Sequence, residues 1–437
     1  MSGVEVGLWS ILALVLLVYS GMHVPVVMIL VSFVGIWLIR DNPDLAGTML
    51  AFAATDSIEA YVFGVIPLFV LMGLLVMIAD LGKDSFAVAN QLFRRVPGGL
   101  GIATVAANAI FAAITGVSVA SATVFAQLAV PEMLRYGYNR RFAVGVVAGS
   151  SVLGMLLPPS VLFILYGLLT DTSVGDLFIA GVIPGLLLAV AYSLMILFWA
   201  RRNPAAFGAM VDRVVSTPPM SAPVMLGMLG PILALIVVVL GGLYGGIFTA
   251  TESGAVGAAG ALVIALAKGR LTWRKLWRLL TETGHVTSSL ILLIIAANIY
   301  SRMLTVSGLP TWIGDWIGTM ELGFAALLVA YLLIVLALGT IMDSASILLI
   351  VIPLFLPVFK LLGTDLIWLG VITVIVVEVG LLTPPFGMAV FIVKSSLEDK
   401  SITLNDVFMG ALPFAAVMLL VAVAVVVFPA LATVFVR

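Results

Sequence analysis

The sequence predicts an all-α polytopic membrane protein built from two inverted-topology repeats, and three observations carry that expectation. The chain is 63% hydrophobic and only 9% charged, whereas soluble domains are about half apolar and a quarter charged. Apolar runs of roughly twenty residues recur along it, each long enough to cross the hydrocarbon core. Motifs of the first half return in the second at a near-constant offset.

The runs between charged breaks place helices at 7–22, 24–40 and 60–80, a paired run at 98–114 and 118–134, then helices at 142–170 and 176–200. The second half gives 225–248, 250–267 and 286–304, a pair at 323–341 and 343–359, then 366–395 and 404–432. The first run follows Glu5 and has no basic start, so it reads as a retained helix. Residues 201–223 are polar and proline-bearing and read as a cytoplasmic linker between a first repeat, 1–200, and a second, 224–437.

An offset of 226 carries Gly154-Met155-Leu156-Leu157-Pro158-Pro159 onto Gly380-Leu381-Leu382-Thr383-Pro384-Pro385, and also Ser118 onto Ser344, Pro131 onto Pro357 and Gly137 onto Gly363. Near the start the offset is 225, from Tyr19-Ser20-Gly21 to Tyr244-Gly245-Gly246; near the end it is 229, from Gly181 and Pro184 to Gly410 and Pro413. A collinear series of this kind indicates internal duplication. Each half holds five single spans and one paired run (98–134 and 323–359), and a pair leaves on the side where it entered. Five is odd, so the second repeat is inverted and a site is expected at the midplane between repeats.

The basic residues orient this scheme. Arg40, Arg302, Lys360 and Arg437 fall on the N-terminal side, and the other sixteen of the twenty Lys and Arg fall opposite. The positive-inside bias makes the richer side the cytoplasm, so both termini are expected to face the periplasm. The stretch Trp273-Arg274-Lys275-Leu276-Trp277-Arg278 reads as an amphipathic helix at the cytoplasmic interface, either a juxtamembrane anchor or a bracing arm. Its repeat partner, from Leu45 to Ile58, is expected on the outer face.

A net charge of -1 argues against nucleic-acid partners. Two isolated histidines, His23 and His285, and no cysteine offer no transition-metal cluster. Neither paired aspartates near one face nor a His–Glu metal motif supports an intramembrane enzyme. No catalytic residues are assigned.

The turns of the two pairs carry the chemistry. Thr115-Gly116-Val117-Ser118-Val119-Ala120-Ser121 has small hydroxyls and no charge, and Gly339-Thr340-Ile341-Met342-Asp343-Ser344 is similar apart from its aspartate. Both read as tips of re-entrant hairpins, although arms of this length also suit a thin bilayer. Non-helical backbone is tolerated at that depth only against protein or a watery cavity. The Pro158-Pro159 and Pro384-Pro385 pairs lie inside long apolar runs, where proline removes a donor and breaks the helix. Gly154 and Gly380 give flexibility just before each break. Freed carbonyls, with hydroxyls of Ser150, Ser151 and Thr383, are hard oxygen ligands suited to sodium. Half-helix N-termini beyond the breaks, at Pro159, Ser160 and Pro385, suit a substrate carboxylate together with the tip hydroxyls of Ser118 and Ser344.

Asp343 and Glu378 are the deepest acids, functional candidates by position. Asp343 suits a cation ligand or a helix cap, and Glu378 a proton carrier or a structural hydrogen-bonder. Glu252 after Thr249 reads as an N-terminal cap.

Several motifs resemble the large M subunit of TRAP (tripartite ATP-independent periplasmic) transporters of the dicarboxylate and sialic acid type. They are Ile66-Pro67-Leu68-Phe69, Val130-Pro131-Glu132-Met133, Arg135-Tyr136-Gly137-Tyr138, Leu157-Pro158-Pro159-Ser160, Tyr244-Gly245-Gly246-Ile247-Phe248-Thr249 with Thr251-Glu252, Met342-Asp343 and, most specific, Gly380-Leu381-Leu382-Thr383-Pro384-Pro385-Phe386-Gly387. The resemblance covers essentially the whole chain, departing at Ala250, where proline is frequent, and Val376, where asparagine is. It implies a symporter of the inner membrane that couples sodium (Na+) to small organic anions by an elevator mechanism. The hairpins and broken helices would form the moving part, a small four-helix Q-type subunit would enlarge the scaffold, and a periplasmic binding protein would deliver substrate. Carried over, one sodium site lies between Thr115–Ser121 and Ser150–Pro159, and the other between Gly339–Ser344 and Gly380–Pro385. A self-sufficient sodium–dicarboxylate symporter is the alternative.

Overall fold

The computed structural model describes residues 2–59, 64–208, 219–319 and 323–436. Residues 209–218 of the expected linker, with Asp212 and Arg213, lie outside the described residues, as do the start of the 60–80 run and Arg437. The described chain is helical, with a single β-bridge between Tyr138 and Phe207.

The first half runs α1 (Gly3–Tyr19), α2 (Val24–Arg40), α3 (Pro43–Glu59), α4 (Val65–Ile78), α5 (Leu81–Leu92), α6 (Gly99–Thr115), α7 (Ser118–Arg135), α8 (Arg140–Ser151), the single turn α9 (Leu153–Leu156), α10 (Val161–Thr170) and α11 (Val174–Arg202). The second runs α12 (Ala222–Tyr244), α13 (Ala250–Ala267), α14 (Trp273–Ser307), α15 (Leu309–Thr319), α16 (Phe324–Gly339), α17 (Ser344–Leu361), α18 (Leu366–Leu381), α19 (Met388–Ser396), α20 (Leu404–Val427) and α21 (Ala430–Thr433). Six described helices are long and apolar enough to cross a membrane, or up to eight if two bent pairs are counted as spans. This is a multi-pass membrane protein.

Polar residues just outside the apolar runs set the helix starts by accepting bonds from free N-terminal amides. Asn139 accepts from the amides of Arg141 (2.9 Å) and Phe142 (3.5 Å), and Asp365 from those of Ile367 (2.9 Å) and Trp368 (3.1 Å). Thr249 and Glu252 form a reciprocal capping box at α13, the role expected of Glu252.

Two groups of helices pack around a buried centre. One has α14 against α1 to α4, with α13 wedged between α4 and α12. The other holds α6 to α8 with α5, and α16 and α17 with α18 and α20. The broken segments are innermost: every residue from Phe142 to Gly167 and from Trp368 to Leu382 is buried. Close approach there needs glycine, since a Cβ on Gly145 would meet the Gly410 backbone of α20. By contrast α12 shows only 17% of its apolar window buried within the chain, as suits a lipid- or partner-facing helix.

Three features depart from the sequence expectation. The amphipathic Trp273–Arg278 stretch is not a separate surface helix but the start of the 35-residue α14, because no proline interrupts the chain before Ser307 and Gly284 is accommodated within the helix. Helices α5 and α15 were absent from the apolar count. Lys83 and Asp84 in the first, and Pro310 and Asp315 in the second, interrupt their hydrophobic runs. Helix α5 also turns 61° from α4, pivoting at Asp80, whose φ is 57°.

Candidate functional site

Both hairpins end against a proline break. In the first, α6 stops at Gly116, whose φ of 63° is left-handed and favours glycine. A Cβ there would also strike the Pro159 carbonyl. The Gly116 carbonyl accepts the Val161 amide at 3.2 Å, so the tip is stitched to the start of the half-helix beyond Pro158-Pro159. Gly154 completes the seat: a Cβ on it would lie 3.2 Å from the Ser118 amide.

The second hairpin repeats the arrangement. The Thr340 carbonyl accepts the amides of Phe386 (3.1 Å) and Gly387 (3.2 Å), just beyond Pro384-Pro385. A Cβ on Gly380 would lie 2.5 Å from Gly339 Cα, so arm and broken helix touch backbone to backbone. The two breaks differ in depth, since Pro158 and Pro159 are buried whereas Pro384 and Pro385 are exposed.

The hydroxyls expected as ligands are mostly engaged with their own helices. Ser150 Oγ donates to the Val146 carbonyl (2.6 Å), Ser151 to Ala148 (2.8 Å), Thr115 to Phe111 (3.0 Å), Thr340 to Ala337 (2.8 Å) and Thr383 to Val379 (2.8 Å). Their oxygen lone pairs remain acceptors, which is the half a cation uses. Ser160 Oγ bonds the Met155 carbonyl and accepts from the Phe163 amide at 3.3 Å, so it spans the break and caps α10. Ser121 Oγ is buried without a partner.

Asp343 caps α17: Oδ1 accepts the Ser346 amide at 3.1 Å and Oδ2 the Ser346 hydroxyl at 2.5 Å. This is the capping role expected of it, and the carboxylate, on the cavity wall, keeps lone pairs for a cation. Glu378 is 1% exposed; the Ser344 hydroxyl approaches its carboxyl without full hydrogen-bond geometry, and Tyr192 faces it.

A cavity of about 520 Å³ joins the two halves of the site. Thr115 and Ser118 line it from the first tip, Asp343 and Ser344 from the second, and Met155, Val161, Leu381 and Met388 from the breaks. Gly116, Gly154, Pro159, Gly339, Thr340 and Gly380 do not line it but make the tip-to-break contacts; Pro158, Thr383, Pro384 and Pro385 belong to the breaks without lining it, and Ser150, Ser151 and Ser160 lie along the first broken helix. Met342 sits half-buried in the second tip. One polar group escaped the sequence reading. Asn108, the one asparagine in α6, donates to Ser150 Oγ at 2.7 Å, while its own carbonyl oxygen is buried without a partner. Its isolation among Ala, Ile and Phe was the available signal.

Comparison with known proteins identifies the family. Residues 11–431 match the family described as Tripartite ATP-independent periplasmic transporter, DctM component. The chain is 33% identical to the C4-dicarboxylate TRAP transporter large permease protein DctM of Pseudomonas aeruginosa, covering 89% of each. It is 31% identical to the sialic acid TRAP transporter large permease protein SiaM of Vibrio cholerae, covering 94% of each. The crystal structure of the Alcanivorax borkumensis YdaH transporter shares the fold, with a TM-score of 0.60 at 14% identity over 91% of both chains. These sequence relatives are transporter permeases and not enzymes. With a family match that spans nearly its whole length, the chain belongs to the DctM component family of TRAP transporters and is a large permease subunit.

Proposed function

We propose that the chain is the translocating subunit of a sodium-driven, binding-protein-dependent importer of small organic anions in the bacterial inner membrane. The observation that carries this reading is the doubled tip-to-break bond: Gly116 carbonyl to Val161 amide, and Thr340 carbonyl to Gly387 amide. Two hairpins and two broken helices thereby converge on one cavity from the two halves. Irregular backbone at that depth leaves carbonyls for sodium and helix N-termini for a carboxylate.

Further correspondences support inverted repeats. Gly137 and Gly363 both take positive φ (78° and 63°), as do Gly21 and Gly246 (94° and 70°). Asn139 and Asp365 cap α8 and α18 through equivalent atoms. Four long-range ion pairs among the described residues support the sidedness, since each joins residues that the helix count puts on one face. They are Arg141–Asp406, Lys268–Asp84 and Arg270–Asp80 on the basic face, and Arg302–Asp56 on the other. On this reading both termini are periplasmic and the helices around α14 form the frame past which the site moves.

The cargo class follows the relatives, which are named for C4-dicarboxylate and sialic acid. The family description, tripartite and periplasmic, supports two partners, a small membrane subunit and a substrate-binding protein. The test is reconstitution of all three components, with succinate and N-acetylneuraminate as probes, under an imposed inward sodium gradient. Uptake should need the gradient and each partner. Full uptake by this chain alone would favour a self-sufficient symporter instead.

A further inference from the structure

We infer that Glu282 makes the cavity beneath the hairpin tips a vestibule of negative potential, which hastens departure of the organic anion and draws cations in. The inference rests on the sidedness and cargo proposed above. Glu282 stands on α14, one turn before Val286 and two before Leu290, and all three line the cavity that also holds Ser118 and Ser344. Its side chain is exposed and has neither a hydrogen bond nor an ion pair among the described residues.

The rest of the wall is apolar or hydroxyl, except for Asp343; no Lys, Arg or His lines the space. No cation shares the wall with these acids: Arg278, one turn before Glu282, is exposed, lies outside the lining and forms no ion pair with it among the described residues. Apolar walls focus such a field, because charges facing a low-dielectric surface interact more strongly than in bulk water. The cavity runs toward the basic face: Met77 lies near the end of α4 that leads to Lys83, and Glu282 stands one turn after Arg278.

The opposite face has a different character. A cavity of about 740 Å³ there is lined by Arg302 and Lys360 as well as Asp56 and Asp171. Arg302 is held by Asp56 at 2.6 Å, while the exposed Lys360 has no partner among the described residues. An anion thus meets the Lys360 ammonium, beside Asp171 and the paired Arg302 and Asp56, in the wall of the entry-side cavity, and acids with no cation in the wall of the exit-side cavity. That asymmetry opposes rebinding from the cytoplasm, and the Glu282 share of it lies outside the expected sodium sites.

The potential can be read directly because the chain contains no cysteine. Val286→Cys in the full-length chain, reconstituted with its small subunit, puts one thiol on the cavity wall. Its reaction rates with a cationic trimethylammonium methanethiosulfonate and with the anionic sulfonate analogue are each normalised to a free thiol. The cation-to-anion ratio should exceed one, and Glu282→Gln should lower it about fivefold, the effect of removing one charge about a helical turn away in partly screened water. Glu282→Asp should keep the ratio. A ratio unmoved by Glu282→Gln overturns the inference, and so does a thiol inert to both reagents. The readout needs no transport: loss of sodium-driven uptake with the ratio as expected would refute the proposed function, and the converse would refute this inference.

Discussion

The seat of the first hairpin tip on its proline break can be tested at one atom, the Cβ that Gly116 lacks. Gly116→Ala meets two obstacles: φ is 63°, and the new methyl would strike the Pro159 carbonyl. Left-handed backbone costs an L-residue about 1–2 kcal/mol. Displacing a packed backbone neighbour costs a further ~1–3 kcal/mol. Gly363 separates the two, because its φ is also 63° but nothing lies within 4 Å of where its Cβ would be. Gly363→Ala should therefore show the backbone penalty alone. If the tip must seat for sodium to bind, the extra ~1–3 kcal/mol in Gly116→Ala raises the sodium half-saturation of uptake about fivefold to about 150-fold. Gly363→Ala should leave that value near wild type. The assay is a sodium titration of anion uptake in proteoliposomes, with thermal unfolding of each variant recorded in parallel. Equal sodium dependence in the two variants would refute the argument that the Gly116 contact shapes the site.

Other predictions follow from the same geometry. Asp343→Ala removes both acceptors of Ser346 and should cost about 1 kcal/mol of stability, whereas Asp343→Asn keeps an acceptor and should cost less; unfolding temperatures compare them. Ser118→Ala removes a cavity-lining hydroxyl and should raise the sodium or anion half-saturation several-fold with little change in unfolding temperature. Glu378→Gln should be close to neutral, since Gln matches the buried acid in shape, keeps an acceptor facing Ser344 and carries no charge to bury; a loss above about 2 kcal/mol would contradict this. Gly145→Leu should abolish folding, read as aggregation on size-exclusion chromatography, because the side chain has to enter the Gly410 backbone of α20.

What could be read from the sequence was whatever the chain must write into residue type. Pro158-Pro159 and Pro384-Pro385 announce their breaks because proline cannot continue a helix. The paired Gly137 and Gly363 announce the duplication, and in the structure both are left-handed. Contacts between elements were not legible. Nothing in Gly339 or Gly380 alone says that their backbones touch, nor in Thr340 that its carbonyl takes two amides from beyond the second break. Helices α5 and α15 were missed for a different reason, since amphipathic segments at an interface carry charges that interrupt an apolar count. Asp343 shows the intermediate case. Its position suited a cation ligand or a helix cap, and only the bonds to Ser346 reveal the cap.

The central claim is that sodium moving down its gradient drives anion entry through this subunit. It is tested most directly by labelled succinate or N-acetylneuraminate uptake into proteoliposomes that hold the complete transporter and an inward sodium gradient, with monensin added to collapse it. Accumulation above the external concentration that vanishes with monensin is the expected result. Accumulation that persists after the gradient is gone would contradict the account.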